Sequence, residues 1–292
     1  LSRWYATAAS TRWLNAAILI LSSAIGVAAF LYPFLQPQEE AAALQGGAAH
    51  AQDAALVFTV LIALCLGAVL SSLLGSGLNA KMIAALGVLT ATNAVLRAVP
   101  GPVGFSAMQA LPIVAGYCYG PLFGYLLGAL SVGVSALLGA GVGPWLPYQM
   151  LAIGWVGLTS AWLPDMHGRP RLEMLVLAAW GIVWGMAFGF VMNLWFWPFV
   201  YDPTQAGVYW EPGIGALQTL RRYLAFYGLT SAWWDVGRAA GNVALIGLFG
   251  RPVLRLFRRF GRRFAFEVHD TDPFPRTCGA VRERVRREGP GP

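Results

Sequence analysis

The stretch "AALVFTVLIALCLGAVLSSLL", residues 54–74, runs for 21 positions without a charged side chain. In water such a segment would need cover on every side. The hydrocarbon core of a bilayer accepts it whole, because about 20 apolar residues cross it as one helix. Similar runs recur along the chain, and only 11% of the 292 residues are charged, roughly half the share found in soluble domains. The sequence predicts an all-α integral membrane protein.

Two spans are expected at the N-terminus, near 13–35 and 54–74, and six more near 80–98, 106–118, 120–138, 146–163, 173–197 and 231–250. The fourth is short, and only Gly120 and Pro121 part it from the fifth, which suits a tilted or partly re-entrant segment. The first run is too long for the apolar core of a signal peptide, usually about 7–15 residues, and reads as a retained helix. The chain divides into an N-terminal helix pair (1–78), a six-helix core (79–260) and a basic tail (261–292) that reads as disordered.

Arginine and lysine in short loops mark the cytoplasmic side. With the N-terminus inside, the inner loops hold Arg3, Arg12, Lys81, Arg169 and Arg171, and "RPVLRLFRRFGRRF" adds six more arginines after the last span. The outer segments keep Arg97, Arg221 and Arg222, and the first outer loop, "QPQEEAAALQGGAAHAQD", has three acids and neither Lys nor Arg. Eight spans with both termini cytoplasmic fit every loop. The basic stretch adjoins a span, so it points to a lipid surface and not to nucleic acid.

Lys81 is the only lysine, and its surroundings, "GSGLNAKM", lack the glycine and hydroxyl that a P-loop needs to hold phosphates. ATP-driven work would therefore need another subunit. The three cysteines (Cys65, Cys118, Cys278) and three histidines (His50, His167, His269) are scattered, so neither a disulfide framework nor a metal site is expected. No cofactor is called for.

Small residues let helices approach closely in lipid. Ala80, Ala84, Gly87, Ala91, Ala94 and Ala98 form one long seam; Gly120, Gly124 and Gly128, then Gly181, Gly185 and Gly189, and then Gly237 and Gly241 form others. Each fits internal packing, and the alanine seam also fits docking of another protein. In the last span Asp235, Arg238 and Asn242 share a face. A charge at mid-bilayer costs at least ~2.5–3.5 kcal/mol, so either Asp235 and Arg238 pair, or both line an outward cavity that binds a polar solute. Asn193 is a second polar group at similar depth. Aromatic residues crowd the outer side, among them Trp145, Tyr148, Trp195, Trp197, Trp210 and Tyr223. A headgroup belt explains part of this, and the excess suggests a ligand surface.

"GPWLPYQMLAIGWVGL" (143–158) resembles the G-P-W-[T/L]-P-[W/Y]-Q-M stretch of S-components, the membrane-embedded substrate-binding subunits of energy-coupling factor (ECF) vitamin transporters. The order of segments agrees from about 79 to 260: an alanine-rich helix, "ALPIVAGYCYGPLFGYLLGALSVGVSALL", this stretch, a helix ending in "NLWFW", and "WWDVGRAAGNVALIGLFGRPVLR". The two N-terminal helices fall outside it.

The resemblance implies a subunit that binds a vitamin or related micronutrient from outside. Such a subunit docks on a transmembrane coupling subunit, driven by two cytoplasmic ATPases, in a prokaryotic plasma membrane. It gives Ala84, Gly87, Ala91 and Ala94 the docking role, and it places Trp145, Tyr148, Gln149, Asn193, Trp195, Asp235 and Arg238 in the binding pocket. Asn193 stands where relatives often carry Asp, and Arg238 where His is expected. Some relatives are associated with corrinoids or their precursors, which makes that class a lead. The rival readings are a self-sufficient carrier, for which no internal repeat is evident, a membrane enzyme, for which no H-E-x-x-H or paired aspartate motif exists, and a purely structural membrane protein.

Overall fold

The computed structural model describes residues 9–45, 47–74, 80–98 and 101–264, and its regular structure over those residues is entirely helical. Of the tail expected over 261–292, residues 261–264 continue the last helix, and the rest lies outside the described residues. Ten α-helices follow in order: α1 (Ala9–Leu35), α2 (Gln38–Leu44), α3 (Ala54–Leu74), α4 (Ala80–Ala98), α5 (Ala110–Tyr119), α6 (Pro121–Ser135), α7 (Leu146–Ser160), α8 (Pro170–Phe196), α9 (Ala216–Thr230) and α10 (Ala232–Phe264). Prolines at the first turns of α6, α7 and α8 sit where a missing N–H costs nothing.

Among the described residues, five stretches are long and apolar enough to cross a membrane: Trp13–Leu35, Ala54–Leu73, Pro121–Ala140, Pro170–Phe199 and Ala232–Gly261. The other three expected spans take different forms. α4 has 19 residues but carries Lys81, Asn93 and Arg97. α7 has 15 residues, and α5 has 10, which at 1.5 Å each is about 15 Å, half of the hydrocarbon core. The segment before α5, expected to be helical from 106, is irregular up to Gln109 and is covered by protein. Gln109 is buried, donates to the Trp184 carbonyl (3.3 Å) and accepts from Asn242 (2.6 Å). Irregular backbone at membrane depth persists only under such cover.

Gly120, at φ 108°, occupies backbone that a side chain would strain, and it folds α5 back on α6. The hairpin packs on α7 through Gly116, Gly124 and Gly157, where a Cβ on any of them would strike backbone of a partner. Gly181, Gly185 and Gly189 of α8 seat Asn242, Ala239 and Asp235 of α10 in the same way, and Gly237 and Gly241 receive Val103 and Phe105. Three of the four small-residue seams are thus internal.

The helix ends gather into two layers. At one end, Glu173 at the start of α8 holds Arg258 of α10 through both carboxylate oxygens and accepts from Tyr117 at the end of α5 (2.7 Å). The Tyr119 hydroxyl bonds the Phe257 carbonyl (2.9 Å). α10 is therefore docked well past 250, where the last span was expected to stop, and Arg251, Arg255 and Arg259 are exposed along this extension. At the other end lie the 36–53 loop with α2, the start of α7, the end of α8 and α9. Farther along, α1 packs on α7: Gly26 lies against Leu151 and Trp155, and Trp155 donates to Ser23 (3.0 Å).

α9 was not foreseen. It is a 15-residue amphipathic helix that buries Tyr223 and Phe226 against Trp197 and Trp210, while Leu217, Leu220, Leu224 and Leu229 stay exposed.

Candidate functional site

The loop that precedes α3 turns on His50, whose backbone is left-handed (φ 53°), an uncommon state for a side-chain-bearing residue. That turn drives the imidazole among the rings at the ends of α7 and α8. His50 lies 4.4 Å (ring centroids) from Tyr148, 4.8 Å from Phe199, and 6.0 Å from Trp195 at a near-parallel 21°. Trp145 meets Trp195 edge-on at 6.4 Å. His50 and Tyr148 are 1% and 0% exposed.

The polar atoms form a small network around Asp53. The Tyr148 hydroxyl donates to Oδ2 (2.5 Å), His50 Nδ1–H donates to the same oxygen (2.9 Å), and Tyr32 reaches Oδ1 at 3.4 Å. His50 Nδ1 also lies 2.6 Å from the Tyr148 oxygen. Burial raises the pKa of Asp53. Hydrogen bonds from His50 and Tyr148 outweigh that and hold the carboxyl below its ordinary value. With Nδ1 turned to Asp53, Nε2 is the ring nitrogen left over, an acceptor in a neutral imidazole. Nε2 is sealed from solvent and has no partner, and so is the indole Nε1 of Trp195. A buried polar atom left unpaired costs about 1–3 kcal/mol, so two neighbouring ones need a reason.

The expected pocket residues do not converge on one place. Trp145, Tyr148 and Trp195 come together as described. Gln149, one residue on, turns away and accepts from Arg97 (2.6 Å), which also donates to Ser135 (2.6 Å). Asn193 exchanges hydrogen bonds with Ser231 (2.7 and 3.0 Å). Asp235 and Arg238 pair with each other on one face of α10, the first of the two arrangements considered. Asp235 is 1% exposed beneath Gly189, and Arg238 also reaches the Gly185 carbonyl (3.3 Å) and lies 4.8 Å from the Phe188 ring centroid. The pair ties α10 to α8, and it leaves Asp235 Oδ2 and Arg238 Nε without a hydrogen-bond partner.

The outward cavity expected among these residues is closed in this structure, because side chains fill it. Tyr148, His50, Trp197 and Phe199 are all buried, and Gln45 ties the first loop over them by donating to the Trp210 carbonyl (2.9 Å). An apolar groove of about 460 Å³ lies between α8 and α10, lined by Ile182, Met186, Val236, Ala239 and Val243.

His50, Asp53 and Tyr32 are not among the expected site residues: in the sequence His50 is one of three scattered histidines, and the first loop stands out by its acidic charge. Their signal was a histidine and an aspartate one helical turn apart at the threshold of a span.

On α4, Ala84, Gly87 and Ala91 are exposed, and a Cβ at Gly87 would meet nothing. Ala94 departs from this face: it is 0% exposed, turned into the bundle beside Asn93, which bonds Ser131 (2.8 Å) and the Met108 carbonyl (3.1 Å).

Comparison with curated proteins and with solved structures gives no match. A family model described as the substrate-specific component of the ECF transporter matches residues 81–246, more than half of the chain, a segment that holds the exposed α4 face, the rings of α7 and α8 and the Asp235–Arg238 pair; the chain belongs to that family.

Proposed function

We propose that this chain captures a vitamin or related micronutrient at the end of the bundle where Tyr148, Trp145 and Trp195 meet, and that this end faces outward. A coupling subunit docked on the exposed face of α4 then passes the solute inward, at the expense of ATP hydrolysed by two cytoplasmic ATPases. The observation that carries the reading is the meeting of these rings. They belong to the family-matched segment, converge from the ends of two helices, and lie at the end of the bundle opposite the arginines of α10. Corrinoids and their precursors are the first solutes to try.

The experiment is a comparison of binding with uptake. Purified chain in proteoliposomes should bind one member of a panel containing thiamine, riboflavin, biotin, cobalamin and cobinamide, yet accumulate none of them. Accumulation should begin when coupling subunit, ATPases and ATP are added. Uptake by the chain alone without ATP would overturn the reading in favour of a self-sufficient carrier.

A further inference from the structure

The N-terminal helix pair lies outside the family-matched segment, yet one of its residues is buried at the centre of the ring cluster. We propose that His50 is a solute-binding residue: its Nε2 and the Nε1–H of Trp195 together hydrogen-bond one polar edge of the captured molecule, while Asp53 and Tyr148 hold the imidazole. This rests on the reading that solute is captured at this end.

Three observations carry it. The network around Asp53 uses Nδ1 and leaves Nε2 without a partner and without solvent, and a histidine whose work was only to pin the loop would have no use for a second nitrogen sealed among rings. The neighbouring ring, 6.0 Å away and nearly parallel, presents an indole N–H in the same condition. The left-handed backbone at residue 50 is held against its preference, a kind of strain that clusters where structure serves a ligand.

The two groups are complementary in kind. The indole nitrogen can only donate, and the second nitrogen of a neutral imidazole whose Nδ1–H is engaged can only accept. The matching solute edge therefore carries an acceptor beside a donor, as in a carboxamide, a lactam or the edge of a nitrogen heterocycle. A carboxylate or phosphate, with acceptors alone, would serve Trp195 and leave His50 unanswered. The 36–53 loop thus makes the N-terminal pair part of the recognition surface.

Diethyl pyrocarbonate, which carbethoxylates accessible imidazole nitrogen, tests this on the unmodified full chain in nanodiscs, read by peptide mass spectrometry. His167, exposed in the turn before α8, reports reagent activity. His50 should react more slowly than His167 as the mouth opens, and whichever vitamin of the panel binds should slow it further, by at least about tenfold at saturation. Trp195→Phe, which keeps the ring and loses the N–H, should weaken that vitamin about tenfold, the equivalent of about 1.4 kcal/mol, while His50 still reacts with the reagent. His50 staying unmodified while His167 reacts fully overturns the proposal, and so does a bound vitamin that leaves the His50 rate unchanged. If no panel member binds, the proposed solute class fails, and the reactivity of His50 still decides whether its nitrogen meets an opening site.

Discussion

Tyr148 shows how much a single atom can decide. Its ring packs edge-on to Phe30 at 4.9 Å, a contact that phenylalanine would keep, but its hydroxyl supplies the short bond to Asp53 Oδ2. Tyr148→Phe should lower stability by about 1–3 kcal/mol, seen as a reduced Tm in detergent, because a partly buried carboxylate oxygen loses a donor. Asp53→Asn in the same chain should cost less than the sum of the two changes, since both strike one network. Full additivity would mean that the bond contributes nothing. Asp53 also sets a pH dependence. Its folded pKa is depressed, so its contribution is complete above the ordinary carboxylate value of about 3.9 and is lost as pH falls through the folded value. Acidification below about pH 4 should therefore lower the Tm of the wild type more than that of Asp53→Asn; equal losses would place the sensitivity elsewhere.

Among the elements, α4 carries the sharpest contrast. Ala91 and Ala94 lie on one seam when the sequence is read as a list of small residues, yet Ala94 sits where α4 packs on α6, beside the Asn93–Ser131 bond, and Ala91 does not. Ala91→Leu should leave Tm unchanged and abolish co-purification with the coupling subunit. Ala94→Leu should lower stability by about 1–3 kcal/mol through overpacking beside Asn93. If Ala91→Leu still forms intact complexes, docking uses another face. The elements that were legible in the sequence are those whose apolar runs exceed bilayer thickness, such as α3 and α8, and the Gly120–Pro121 turn, whose residue types permit little else. α9 was hidden because Arg221 and Arg222 interrupt its leucines, so a search for 20-residue runs passes over a 15-residue helix that buries one face only. The basic end of α10 was hidden for a related reason: its arginines read as the close of a span, while Leu254 and Phe257 continue the buried stripe to the Glu173 clasp.

At the scale of the whole molecule, the alternation of helices was readable from the loops, whereas the convergence of side chains was not. Asp235, Arg238 and Asn193 are polar groups in apolar helices, which the sequence displays, but whether each meets a solute or a neighbour depends on packing between α8 and α10 that no single-chain pattern encodes. The outward orientation of the ring cluster is the premise that joins these scales, and it rests on arginine placement. A cysteine-free background, with Cys65, Cys118 and Cys278 replaced by alanine, allows it to be tested with Gln205→Cys and His167→Cys, both exposed and at opposite ends of the bundle. In intact cells a membrane-impermeant maleimide should label Gln205→Cys, and His167→Cys should react only after permeabilisation. The reverse pattern would turn His50, Tyr148 and Trp195 toward the cytoplasm. A solute arriving from outside could not then reach them first, and these rings would have to belong to release, not capture.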